Sequence, residues 1–253
     1  MFLAIDIGNT SIKFGVFDGD DLTSKFIIPT RREYTARDID AAADGALDGR
    51  RFAATLVSSV VPELDAAFAE YLAQIVGVEP AFVKTSDDFS LVFNFPIDEA
   101  GTDRLVNSFA AVEKYGAPCI VVAFGTATTI DVIDRDREHR GGLIAPGPAT
   151  TAKALQIVAS KLPEVDIAEP PNVISTTTVT AIQSGIFYSQ IGLVETAVPH
   201  IKAEIGDDAR VIATGGFAHL IADKCRSVEV VEPELTLEGL MLLNKRADRI
   251  ARS

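Results

Sequence analysis

The sequence predicts an α/β protein made of two similar halves around a central cleft, residues 1–115 and 116–253. Three observations carry that expectation. The chain opens with an apolar run that delivers Asp6, passes through Gly8 and small polar residues, and resumes as a second apolar run to Phe17. The same arrangement recurs at Ala123-Phe-Gly-Thr-Ala-Thr-Thr-Ile-Asp131, which overlays Asp6-Ile-Gly-Asn-Thr-Ser-Ile-Lys-Phe14 with Ala123 opposite Asp6. Each copy heads a stretch of roughly 120 residues in which strand-like and helix-like patterns alternate.

Residues 1–17 read as a β-hairpin, followed by the turn Asp18-Gly-Asp-Asp21. The Ala- and Asp-rich stretch 36–50 fits a helix ending near Gly49. Residues 54–61 form a strand stopped by Pro62, which opens an amphipathic helix to about Ile75. A short strand follows at Ala81–Lys84, then loop with a little extended structure over 86–100. A helix runs from Thr102 through Lys114, with Leu105, Phe109 and Val112 at helical spacing. In the later half, Pro118–Phe124 and Thr128–Ile133 are paired strands, and Asp134–Arg140 is a charged turn. Helices cover 148–161 and 178–205, a strand covers Arg210–Thr214, and a last helix runs from about Leu237 to the end, closing on a basic turn that suits the helix dipole.

Composition narrows the function. The net charge of −13 argues against nucleic acid or an anionic membrane as partner, since a phosphate backbone demands a basic face. No apolar run approaches the roughly 18 residues of a membrane span, and Asp6 interrupts the first run too early for a signal peptide, so a cytoplasmic protein is expected. Cys119 and Cys225 lie far apart, in a core strand and a surface loop, and lack metal-ligand spacing; His139, His200 and His219 form no ligand pair. A metal would have to be held by carboxylates and phosphate.

Five sets of residues could carry chemistry. Asp6, Gly8, Asn9, Thr10 and Lys13 suit a turn that wraps phosphates, with Asp6 positioning Mg²⁺ directly or through water; the same residues also suit an ordinary hairpin. In Gly101-Thr-Asp-Arg104, Asp103 could deprotonate an attacking hydroxyl and Arg104 could grip an anionic oxygen, or Asp103 could serve the helix start. Gly125–Thr129 and Gly141–Gly147 read as phosphate-facing turns or as turns alone. Ala213-Thr-Gly-Gly-Phe217 could let a flat ring approach the backbone or could end a strand. No P-loop or dinucleotide-binding glycine pattern is present.

The order of these blocks resembles the acetate and sugar kinase, heat-shock cognate and actin superfamily. Within it the chain resembles the type III pantothenate kinases. The resemblance spans nearly the whole length through Asp6–Thr10 with Lys13, Ser58-Ser-Val-Val-Pro62, Gly101–Arg104, Phe124–Asp131, Gly141–Gly147, Ala181-Ile-Gln-Ser-Gly185 and Thr214–Gly216. It implies actin-like (ribonuclease H-like) halves and transfer of the ATP γ-phosphoryl group to pantothenate, the first step of coenzyme A biosynthesis. It implies ATP contacts from Asp6, Ile7, Gly8, Asn9, Thr10, Ser11, Ile12, Lys13 and Thr126, with Mg²⁺ at Asp6 through water. Pantothenate is expected at Phe93, Gly101, Thr102, Asp103 and Arg104, with Asp103 as proton acceptor, and at Thr178 across a homodimer interface. The family also uses a monovalent cation, K⁺ or NH₄⁺.

Three positions depart from the family pattern. Ala123 stands where the family carries the aspartate that binds the monovalent cation, and Phe93 stands where it carries a tyrosine, with one extra residue between Pro96 and Gly101. Ser175-Thr176 replaces a Gly-Lys pair. These changes keep two further readings open: a non-catalytic nucleotide- or ligand-binding regulatory paralogue, and a kinase of another small hydroxy acid or sugar.

Overall fold

Both glycine hairpins form in the computed structural model, which describes residues 1–159, 161–206 and 208–252. In chain order the elements are β1 (Phe2–Ile7), β2 (Ser11–Asp18), β3 (Asp21–Pro29), α1 (Ala36–Ala43), β4 (Ala54–Ser59), α2 (Asp65–Glu70), β5 (Val92–Phe93) and α3 (Thr102–Tyr115). Then come β6 (Cys119–Phe124), β7 (Ala127–Ile133), β8 (Glu138–Pro146), α4 (Pro148–Val158), α5 (Thr178–Ile205), β9 (Arg210–Thr214), α6 (Ala218–Ile221), β10 (Val230–Val231) and α7 (Leu235–Arg252). The chain divides into two compact units: residues 1–90, 96–110 and 236 onward, and residues 91–95 with 111–235.

In the first unit the sheet order is β3-β2-β1-β4, with β1 antiparallel to β2 and parallel to β4. Alternation along the strands gives the sheet two different faces. Leu3, Ile5, Ile7, Ile12, Phe14, Val16 and Val57 form one apolar layer with Ile39, Leu64, Phe68 and Leu72 from the helical segments. The opposite face carries Asp6, and Gly15 on that face is closed over by Leu237 of α7. Close packing also joins α7 to α3: a Cβ on Gly239 would lie 2.7 Å from Val106 Cγ1.

The second unit repeats the plan. Its sheet order is β10-β9-β6-β7-β8-β5, so β8-β7-β6-β9 reproduces β3-β2-β1-β4, with the same antiparallel and parallel pairings. Ile120, Val122, Phe124, Ile130, Val211 and Ala213 pack under Phe187, Val194 and Val198 of α5 and Ala218 and Ile221 of α6. The other face presents Ala123, Thr129, Asp131 and His139.

Several boundaries differ from expectation for local reasons. The first helix carries a capping box of Thr35 and Asp38 but stops at Ala43, because Asp44 and Gly45 adopt left-handed backbone. The helix expected over 62–75 is a tight turn at Pro62–Leu64, then α2, then a wider π turn over Tyr71–Val76 ended by left-handed Gly77. The strand expected at Ala81–Lys84 is a single bridge from Phe82 to Val57. Strand β3 was not foreseen. Nor was β8: Asp134–Arg137 make the expected charged turn, but Glu138–Arg140 and most of the glycine block form one strand with a bulge, where Asp131 pairs Gly142 and Ile133 pairs His139. The glycines serve that bulge, since Gly141 has φ +90° and a Cβ on Gly142 would lie 1.8 Å from the Ile130 carbonyl oxygen. The helix expected to end at Lys161 ends at Val158, and of the residues called helical Ser160 and the terminal Ser253 lie outside the described residues. Cys225 is buried in the second core rather than on a surface loop; both cysteines are free thiols, pushed up to about 12 by burial.

Candidate active site

The first hairpin places its functional atoms by register. Asp6 pairs with Lys13 across β1 and β2, and with Ser58 across β1 and β4. Paired residues point to the same face, so Lys13, Asp6 and Ser58 form a row across three strands near the C-terminal end of β1. Asp6 is only 7% exposed, and Lys13 Nζ lies 3.6 Å from its Oδ2. Burial raises the Asp6 pKa above its ordinary 3.8, and the Lys13 charge pulls the other way.

The turn between the strands is held from outside. The Gly8 N–H donates to the Ser11 carbonyl (3.1 Å), and a Cβ on Gly8 would crowd that oxygen at 3.1 Å. Thr30 ties down both ends, its hydroxyl donating to the Gly8 carbonyl (2.6 Å) and its N–H to the Thr10 carbonyl (3.0 Å). Arg32 donates to Asn9 Oδ1 (3.2 Å) while paired with Glu63. Ile7 and Ile12 turn their side chains into the core, so only their backbone can meet a ligand, whereas Asn9 and Thr10 are exposed.

A hydrogen-bonded bridge joins this row to the second candidate set. The Thr102 hydroxyl donates to the Ser59 carbonyl (3.1 Å), which makes Ser58 the donor in the 2.9 Å contact between the two hydroxyls. Thr102 is the first residue of α3, and the Gly101 carbonyl accepts from the Arg104 and Leu105 N–H groups (3.0 and 3.3 Å). Asp103 Oδ1 accepts from the Arg104 N–H (2.8 Å). That position needs a glycine before it: a Cβ on Gly101 would stand 2.6 Å from Asp103 Oδ1 and 3.3 Å from Val60 Cγ1. Within one unit, Lys13, Asp6 and Ser58 therefore share one row, and the Ser58–Thr102 hydrogen bond links it to the start of α3, where Asp103 follows. Ser58 had stood in a sequence block without a role; only the strand register reveals it.

In the second unit the corresponding row is Ala123, Thr129 and Thr214. It contains no charge, and the Thr129 hydroxyl is buried without a hydrogen-bond partner. The hairpin loop runs over residues 125–127, one residue shorter than its counterpart over 8–11. The Thr126 carbonyl accepts from Gly147 N–H (3.0 Å) and the Thr150 hydroxyl (2.6 Å). Side chains are excluded at two neighbouring positions: a Cβ on Gly147 would lie 2.1 Å from the Gly125 carbonyl oxygen, and one on Gly215 2.5 Å from that of Phe124. Thus Gly125–Thr129, the end of the Gly141–Gly147 block and Thr214–Gly216 converge on one turn. Phe93 sits on β5 beside His139, and Thr178 is exposed as the first residue of α5. Among the described residues no group of three or more His, Cys, Asp or Glu side chains could hold a metal ion without help from a ligand.

The comparisons with known proteins point to one family. The family model of type III pantothenate kinase matches residues 2–200. A type III pantothenate kinase of Roseiflexus sp. (strain RS-1) is 43% identical over 249 residues, covering 96% of this chain and 98% of the relative. One from Geobacter sulfurreducens is 41% identical over 254 residues, covering 97% and 99%. Among solved structures, the activator of the 2-hydroxyisocaproyl-CoA dehydratase from Clostridium difficile, with bound ADPNP, aligns over 100% of this chain and 97% of its own at a TM-score of 0.56 and 12% identity. That likeness shows a shared fold alone. The chain belongs to the type III pantothenate kinase family, kinases of the first step of coenzyme A biosynthesis.

Proposed function

We propose that this kinase uses Asp103 as the proton acceptor for the primary hydroxyl of pantothenate, with ATP held by Asp6–Lys13 and Thr126. The observation that carries this reading is the row of Lys13, Asp6 and Ser58, tied by the Ser58–Thr102 hydrogen bond to the start of α3, which bears Asp103. A link between the first hairpin and the helix bearing Asp103 supports this reading, because phosphoryl transfer asks mainly for positioning. As the hydroxyl oxygen bonds to the γ-phosphorus, its proton passes to the Asp103 carboxylate and the bond to the bridging β–γ oxygen breaks, releasing ADP. Arg104 suits the pantothenate carboxylate through its planar fork, and Phe93, Gly101, Thr102 and Thr178 complete the acceptor contacts.

The donors present suit Mg²⁺ at Asp6: one buried carboxylate beside a phosphate-binding turn, the remaining ligands coming from phosphate oxygens and water. When bound, the ion neutralises charge on the phosphates. The Ala123 row does not suit K⁺ or NH₄⁺ in the family manner, because it offers two neutral hydroxyls and no carboxylate. No step is assigned to that cation. A cytoplasmic location fits a biosynthetic kinase; among the described residues no helix is long and apolar enough to cross a membrane. A homodimer fits the apolar side chains that the second unit leaves exposed, among them Ile157, Val158, Val173 and Ile174.

The test is direct. Purified protein incubated with Mg²⁺, millimolar ATP and pantothenate should form 4'-phosphopantothenate, read by mass spectrometry. ATP turnover onto a different hydroxy acid or sugar, with no phosphopantothenate, would overturn the substrate assignment.

A further inference from the structure

We propose that His139 is a positioning residue for the acceptor substrate, fixing the Phe93–Phe95 ring pair from a place set by its hydrogen bond to Gly141 and its contact with Asp131. The proposal rests on the assignment of Phe93 to the pantothenate site.

His139 is 2% exposed and Asp131 1%, an expensive placement for two titratable groups away from the hairpin loop over residues 125–127. The bulge in β8 brings the Gly141 N–H back onto His139 Nδ1 at 3.1 Å. Because Nδ1 accepts, the ring proton lies on Nε2. Nε2 makes no hydrogen bond and faces Asp131 Oδ1 at 3.4 Å. The imidazole is thereby anchored at Nδ1, with the Asp131 carboxylate beside Nε2.

Its faces meet the acceptor segment. Phe93 pairs with His139 across β5 and β8 and stacks on it, with ring centroids 5.7 Å apart and planes 28° apart. Phe95 meets the same imidazole edge-on at 5.4 Å, and the two phenyl rings meet at 5.8 Å and 88°. Strand β5 has only two residues, paired to Glu138 and His139, with the Val92 N–H donating to the Arg137 carbonyl (2.9 Å). So short a ladder leaves the direction of Phe93 to its ring contacts. The buried pair and the bulge aim His139, and His139 aims the aromatic wall.

The experiment compares His139→Leu, Phe93→Leu and the double variant by steady-state kinetics, varying pantothenate and ATP separately, with Tm recorded for each. The expected result is a pantothenate KM raised about tenfold in His139→Leu with ATP KM within about twofold, and a double variant no more than about twofold beyond the worse single. If His139→Leu does not fold, Asp131→Asn, which keeps the shape, should raise pantothenate KM at least about threefold with ATP KM unchanged. An unchanged pantothenate KM, a parallel rise in both KM values, or fully multiplicative effects would overturn the proposal. A Phe93→Leu variant with parental pantothenate KM would instead locate the failure in the assignment of Phe93.

Discussion

Gly101→Ala separates the geometry of the proposed base, Asp103, from the stability of the helix that carries it. Gly101 has no left-handed backbone, so alanine meets no torsional obstacle there. Its Cβ would stand 2.6 Å from Asp103 Oδ1. Ordinary C···O contacts lie near 3.3 Å, so the carboxylate must withdraw by about 0.7 Å and loosen its bond to the Arg104 N–H. A flexible side chain makes that movement cheap: about 1 kcal/mol of stability, or roughly 2–4 °C in Tm for a chain of this size. Catalysis has less tolerance, since a misplacement of about 1 Å costs on the order of 10²-fold. Turnover with saturating ATP and pantothenate should therefore fall about 100-fold while the thermal melt barely moves. Parental turnover in a folded Gly101→Ala protein would refute the reasoning that Asp103 works from this position.

Two other predictions follow from the paired rows. Burial holds the Asp6 pKa above 3.8, so the folded state binds this proton more tightly than the unfolded chain does. Stability is then lost as pH rises from 3.8 through the raised value, and the penalty is complete above it. Asp6→Asn should raise Tm at neutral pH, lose that gain below about pH 4, and turn over ATP at least about 100-fold more slowly; a lower Tm at pH 7 would contradict the sign. Because Ala123, Thr129 and Thr214 bring no charge to the second row, replacing K⁺ with a bulky organic cation at equal ionic strength should change turnover less than about threefold. A strict K⁺ requirement would show that other oxygens fill the site.

Much of the architecture was legible because it rests on short-range chemistry. Apolar alternation around Gly8 and Gly125 announced both hairpins, and their overlay announced the repeated sheet plan that strand order bears out. The start of α3 was legible at Gly101–Arg104. Strand β3 escaped because it is an edge strand whose Thr23, Ser24 and Lys25 carry no apolar signal. Strand β8 escaped because Arg140 and the glycine pair at its bulge also look like a turn. Long-range facts were out of reach: nothing in Ser58-Ser-Val-Val-Pro62 says that Ser58 lies beside Asp6 and touches Thr102. The asymmetry between Asp6 and Ala123 was visible from the overlay alone, but the uncharged, unpartnered Thr129 opposite Ala123 needed the register.

The central claim is that Asp103, set by Gly101 and Thr102 at the start of α3, takes the proton from the attacking hydroxyl. Asp103→Asn tests it most directly, because it keeps the acceptor for the Arg104 N–H and removes only the basicity. Single-turnover formation of 4'-phosphopantothenate should slow by about 10²–10⁴-fold with the melt unchanged. Formation at the parental rate would contradict the account.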